Sequence, residues 1–286
     1  MSRRCQGVTL VELIVAIVLL TLLSGAALRS LLALGRQSVA VSEHATVQAS
    51  VRTGMLLAQA ELRELGADAS GADLIRMAPD SVTFRAWRGF GVTCAVSATQ
   101  IRIRNDAPLP FSALRGVAPG RDSLLLFVEG EPASALDDRW IRLPVLSVGT
   151  TSCSGTPAIA LGTVDVAALL PSGMLTDVVP GGPARVFEVV RLAEYASGGQ
   201  RWLGTASVSG RETIQPLAGP LAGDGLTLEY LGRDGTPTSD PAAVRSIRAT
   251  LVAAGERAVA RIWSGGPNAV VVDTVSTRLL LRNMAR

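Results

Sequence analysis

Between residues 8 and 28 the chain carries one charged side chain, Glu12, and from residue 13 to residue 28 it carries none. As a helix rising about 1.5 Å per residue, that stretch reaches roughly 30 Å, the thickness of a bilayer's hydrocarbon core. A segment so long and so apolar constrains every later element. Arg3 and Arg4 precede it, so the positive-inside rule places the N-terminus in the cytoplasm and the remaining chain outside. Arg29 and Arg36 follow it and weaken that asymmetry without reversing it.

Several export signals share this outline. A cleavable secretory signal has a basic start, an apolar middle and a small-residue site, for which Ser24-Gly25-Ala26-Ala27 would serve. A plain signal anchor needs only the length. A lipoprotein signal is excluded, because Cys5 lies before the apolar run and not after it. None of these uses Glu12, whose carboxylate costs roughly 2.5–3.5 kcal/mol at the centre of a spanning helix. A first-turn position, where a carboxylate favours the helix dipole, is the plainer account of it.

The stretch Gly7-Val8-Thr9-Leu10-Val11-Glu12-Leu13-Ile14-Val15-Ala16 resembles the class III signal of type IV pilins and pseudopilins. There a short basic leader ends in Gly, an apolar mature N-terminus follows, and Glu occupies the fifth mature position. The resemblance implies that prepilin peptidase cuts after Gly7 and methylates the new amine on Val8, with Thr9, Leu10, Val11 and Leu13 completing the motif. Val8 departs from the usual Phe. The resemblance also gives Glu12 a partner, the Val8 amine of a neighbouring subunit. In the low dielectric of a filament core either charge alone is costly, and pairing relieves both while setting the stagger. The implied partners are prepilin peptidase, other major and minor pilins or pseudopilins, an inner-membrane assembly platform and membrane lipid. The implied location is a single pass in the inner membrane, N-terminus cytoplasmic and head periplasmic, before transfer into a pilus or pseudopilus.

The helix should continue beyond the membrane. All 15 prolines fall at or after Pro79, so the strongest helix breaker is missing before that point. Val47, Val51, Met55, Ala58, Leu62 and Leu65 form one helical stripe, with Arg52, Glu61, Arg63 and Glu64 mostly off it. Gly66 is the expected C-cap, and Gly25, Gly35 and Gly54 are candidate bending points. His44 falls in this stem as a solvated or packed side chain. The predicted architecture is α+β, the pilin-like lollipop that the resemblance implies. Residues 1–7 form a leader, 8–34 the transmembrane half of the helix, 35–66 its amphipathic half and 67–286 a β-rich head.

Short apolar stretches punctuated by Gly and Pro predict strands at residues 82–87, 100–104, 123–129, 140–148, 185–195, 225–231, 244–253 and 270–281. Residues 161–175 have some helical character, limited by Pro171. Asp234-Gly235 marks a tight turn. Residues 226–230, that Asp-Gly pair, residues 244–251 and residues 277–283 are similar to PilW-type minor pilins and to J-type minor pseudopilins of type II secretion. Residues 88–215 match nothing recognisable, and an insertion there suits a large minor subunit. Cys5 leaves with the leader. Cys94 and Cys153 remain, either as two buried thiols or as the disulfide that an oxidising compartment favours.

Composition removes many alternatives. All 27 basic residues are arginine and there is a single histidine. The chain therefore has no P-loop, Schiff-base or kinase lysine, no multi-histidine metal site, and no Ser-His-Asp triad except through His44. Asp137-Asp138, Glu129 with Glu131, and Asp234 with Asp240 are the acidic pairs, and the last lacks the EF-hand order for calcium. Dispersed arginines and 4% aromatic residues argue against nucleic acid. Trp87, Trp140, Trp202 and Trp263 read as core or edge residues. No cofactor, metal or catalytic constellation is expected. The expected function is a structural filament subunit, a minor pilin or pseudopilin; the alternative is an exported binding protein or enzyme tethered by a signal anchor.

Overall fold

The computed structural model describes residues 9–68, 71–129, 138–170, 173–259, 268–281 and 283–284. One helix, α1, runs over Leu10–Leu62 without a break. Sixteen strands follow among the described residues. They are β1 (Gly66–Asp68), β2 (Gly71–Ala72), β3 (Leu74–Ala78), β4 (Ser81–Ser97), β5 (Gln100–Arg104), β6 (Ser112–Ala113), β7 (Ser123–Val128) and β8 (Arg139–Pro144). The second half comprises β9 (Ser147–Cys153), β10 (Thr156–Gly162), β11 (Pro183–Ser197), β12 (Gln200–Ser207), β13 (Gln215–Leu231), β14 (Ser246–Val259), β15 (Ala269–Leu280) and β16 (Asn283–Met284). The molecule is a long N-terminal helix packed on a large antiparallel β-sheet, as the lollipop reading expects.

The main sheet is ordered β15-β14-β13-β12-β11-β4-β5-β10-β9, with β3 and β6 on β4, and β7 joining β11 to β8. Its centre is formed by the long strands β4 and β11, which pair antiparallel through a register shift at Val186/Phe187. That shift lets one strand pair serve two cores. Val82, Phe84, Ala86, Val190 and Leu192 face the core beneath α1. Ala184 and Val186 instead join Ile101, Ile103, Leu124, Leu126, Leu143 and Leu161 in a second core outside the helix's reach.

Every member of the predicted helical stripe is buried in the first core, together with Ala40. The stripe works because α1 lies along β13, β14 and β15, and positions 3 and 4 apart present one continuous apolar face to them. Gly54 is a packing contact and not a bend: a methyl group there would stand 2.6 Å from the Ala218 side chain and 3.0 Å from Leu251. The Ser50 hydroxyl donates to the Gly219 carbonyl (2.9 Å) and accepts from its N–H (3.0 Å), which pins the helix to β13. Further down, a Glu43 carboxylate oxygen accepts the backbone N–H of Glu256 at 2.9 Å. That contact falls where β14 bulges between Ala254 and Ala258.

Three expectations need correction. The helix ends at Leu62, with Arg63 as its cap, and Gly66 opens β1. The chain leaves early because Leu65 turns into the core and the Gly66 N–H donates to the Asp73 carboxylate at 2.9 Å. The predicted strand 140–148 is two strands, β8 and β9. At Val145 the chain stops pairing with β7, its N–H turning to the Asp122 carbonyl, and the next N–H, of Leu146, joins the β10 side at Gly162. Among the described residues of 161–175, the helical character expected there is limited to a 3₁₀ turn at Ala167–Leu169 and the start of another at Leu175–Asp177, after the end of β10. The sequence reading also passed over β10 and β12, each the return arm of a hairpin after the turns Ser154-Gly155 and Gly198-Gly199.

A buried carboxylate joins the two cores. The Glu188 side chain is 0% exposed and accepts from Arg88 (2.9 Å), Arg115 (3.0 Å) and Arg121. Arg88 also reaches Glu61 on α1 at 3.1 Å, and Arg115 pairs with buried Asp122 at 2.6 Å. One cluster thus ties the helix, β4, β11 and the approach to β7. Burial pushes the Glu188 pKa up, but hydrogen bonds from Ser207, Arg121, Arg88 and Arg115 outweigh it and hold the group at about 2.

Two outcomes follow for the chain in detergent, unfolded with urea. Gly54→Ala should destabilise it, because an overpacking cost of about 1–3 kcal/mol exceeds the roughly 1 kcal/mol that alanine gains in helix propensity. Gly35→Ala, whose methyl meets nothing within 4 Å, should not lower stability. The Glu188 contribution is fully present above its ordinary value of 4.5 and drains away as pH falls toward 2. Glu188→Gln should therefore lower stability at neutral pH and flatten its decline over that acidic range; an unchanged decline would remove Glu188 from this role.

Candidate assembly site at the helix N-terminus

Thr9 caps α1 in an extended conformation (φ −78°, ψ 151°). Its hydroxyl accepts the Glu12 N–H at 3.3 Å, and the Glu12 carboxylate takes the Thr9 N–H and hydroxyl, both at 3.0 Å. This reciprocal pattern is a capping box, which satisfies two backbone donors that a helix start otherwise leaves open. The plainer account of Glu12, a first-turn carboxylate that favours the helix start, is therefore physically present. It does not explain what surrounds Glu12.

Leu10, Val11 and Leu13 are 74%, 68% and 53% exposed, and every residue of α1 from Leu10 to Val39 is exposed. Residues apolar on all faces of a helix need an apolar environment on all faces. Among the described residues the head buries none of α1 before Ala40, and α1 has the length and hydropathy to cross a bilayer. A carboxylate near the start of such a helix can be satisfied by its own cap, by a cation brought to it, or by both.

Residues 2–28 match the family model described as the prokaryotic N-terminal methylation motif. The match supports the resemblance to type IV pilins and pseudopilins over this N-terminal segment. The motif implies processing by prepilin peptidase and assembly with other pilins, and with the apolar helix it fits a membrane-anchored pilin. The match covers residues before α1 and the first part of that helix and does not extend into the head. No curated protein and no solved structure matches the chain.

Gly7 and Val8, the expected processing point, lie outside the described residues, as do Cys5, Glu131, Asp137 and Trp263. Cys94 and Cys153 are bonded to each other with their Cα atoms 6.1 Å apart, tying the end of β4 to the end of β9. His44 is exposed on the stem. Asp234 and Asp240 serve their own loop: Asp234 accepts from the Thr236 N–H and hydroxyl (3.0 and 2.8 Å), and Asp240 from the Ala242 N–H (3.0 Å). Among the described residues no three His, Cys, Asp or Glu side chains gather as metal ligands would. Trp87 packs edge-on to Phe187, and Trp140 edge-on to Phe127. Arg185 lies over both indoles, 5.3 Å from the Trp87 ring and 5.0 Å from Trp140. The Trp202 indole donates to the Ser197 carbonyl at 3.3 Å.

Sequence reasoning missed Glu43 and Glu188. Glu256, which donates to Glu43, lies 213 residues from it, and the three arginines on Glu188 lie between 67 and 100 residues away, so no local spacing signals these contacts. The cysteine pair has a direct check. In urea without reductant Cys94 and Cys153 should resist alkylation, and both should react once reductant is added; alkylation of either beforehand would contradict the bond. Cys94→Ser should cost about 4 kcal/mol in the entropy model for a loop of this length.

Proposed function

We propose that the chain is a minor pilin or pseudopilin. It is cut after Gly7, methylated on Val8 and carried as a non-enzymatic structural subunit into a type IV pilus or type II secretion pseudopilus, where it starts or caps assembly. The single observation that carries this reading is the division of α1. The methylation motif and an all-round apolar segment occupy the part that is left exposed, and the head buries side chains of the helix only from Ala40 onward. An anchored enzyme needs a span, and in it Glu12 would serve only the helix cap. A filament subunit needs a helix that leaves lipid and packs among other helices, and a carboxylate that meets a neighbour's amine.

The gripped part of the stem supports the same reading. Its outward face carries Val41, Ala45, Ala49, Leu56 and Leu57, with Leu56 and Leu57 64% and 43% exposed. Arg52 is exposed among them, so the face is mixed but apolar enough to pack against a neighbouring helix. The second core, built from residues inside the 88–215 stretch, supports the minor assignment, since it enlarges the head without touching the stem. The energy for assembly comes from a separate machine, as the chain has no lysine for a phosphate-binding loop.

Glu12→Leu tests the proposal. Removal of residues 1–7 should survive the substitution, because the cleavage point precedes it. Recovery of the protein in filaments sheared from cells should fall by about tenfold or more, the consequence of leaving one buried amine unpaired. Undiminished recovery in filaments would take Glu12 out of its assigned role.

A further inference from the structure

Among the described residues, the lowest approach of the head to the stem is made by the paired ends of β14 and β15. Val259 and Asn268 stand there against Leu31, Leu32, Gly35 and Arg36 of α1, around an open groove of about 670 Å³. The height of this end is fixed. Glu43 holds the β14 bulge by accepting the Glu256 N–H, and Gly255 lies so close beneath it that a methyl group would fall 2.7 Å from the Glu43 carboxylate.

The uncharged run of the stem ends at Leu28. At about 1.5 Å per residue, Leu31 and Arg36 stand roughly 5 and 12 Å beyond it. The headgroup layer on each side of a bilayer is roughly 5–7 Å deep. The lower rim of the groove therefore lies at headgroup level, with its upper rim just above. The side chains suit that depth: Leu31 and Leu32 are 67% and 55% exposed, and Arg29 and Arg36 are exposed beside them. A guanidinium matches a phosphate through paired hydrogen bonds, and leucine suits the upper part of an acyl chain.

We propose that this groove seats a phospholipid headgroup, with Arg36 of its lining reaching down and neighbouring Arg29 reaching up to the phosphate, and Leu31 and Leu32 against the glycerol and the first methylenes. The head then rests on the membrane surface and does not stand off it. Leaving the membrane for a filament breaks this contact as well as the span. The proposal rests on the membrane-anchored reading of the chain.

The test uses the full chain with Cys5→Ser, reconstituted in vesicles of phosphatidylethanolamine and phosphatidylglycerol. A fluorophore is placed through Asn268→Cys, Ser239→Cys or Leu19→Cys. Ser239 lies in the loop before β14, at that strand's far end. Across 14 residues of β14 at about 3.3 Å each, the two ends are some 40 Å apart, so a nitroxide on the lipid headgroup should quench the 268 label about tenfold more than the 239 label. Arg36→Glu should cut the 268 quenching at least severalfold and leave quenching of the Leu19 label by an acyl-chain nitroxide unchanged. Equal quenching at 268 and 239, or indifference to Arg36→Glu, overturns the proposal. A 268 label shielded from aqueous iodide but untouched by lipid nitroxide also overturns it, in favour of a protein occupant. Loss of Leu19 quenching overturns the anchoring reading instead.

Discussion

An apolar helix must be surrounded, and the head of this protein surrounds only part of its own. From Leu10 to Val39 every residue of α1 is exposed, whereas Ala40, Val47, Val51, Met55, Ala58 and Leu62 are buried under β13, β14 and β15. At about 25 cal/mol per Å² of apolar surface, the uncovered half cannot be left in water. In the proposed function lipid satisfies it first, and other helices of the same kind satisfy it in a filament. The remaining architecture follows from keeping that half free while holding the other half firmly.

Holding is done at three levels along the stem. Glu61 reaches Arg88 and, through it, buried Glu188 at the top; Ser50 reads both backbone groups of Gly219 in the middle; Glu43 takes the bulge of β14 at the bottom. Between these polar contacts the stripe side chains and Gly54 fill the space against the sheet. The second core is attached through β4 and β11 and not through the helix, so that lobe can enlarge the head without changing how the stem is gripped.

The stem was readable from sequence because its signals are local. A charge-free run, a 3- and 4-residue stripe and a motif of ten residues all lie within one helix. The glycine after Leu65 misled, since the competing bond from Gly66 to Asp73 is made only in the folded head. In the head, strands with plain alternation such as β5 were found at their true bounds, Gln100–Arg104. The weaker hairpin arms β10 and β12 were missed, because TPAIALG and QRWLGTAS owe their extended form to neighbouring strands and to turns before them. At the assembly site, Thr9, Glu12 and the apolar run were legible, but the reciprocal hydrogen bonds between Thr9 and Glu12 were not drawn from the letters. The Glu188 cluster gathers residues from 61 to 212 and has no linear trace.

The central claim is that this stem is a processed pilin stem and not a permanent anchor. Mass spectrometry of the N-terminal peptide, from chain isolated with its membranes, tests it most directly. The account predicts a mature chain that begins at an N-methylated Val8. An intact Met1, or a start near Ala26 or Ala27, would contradict it.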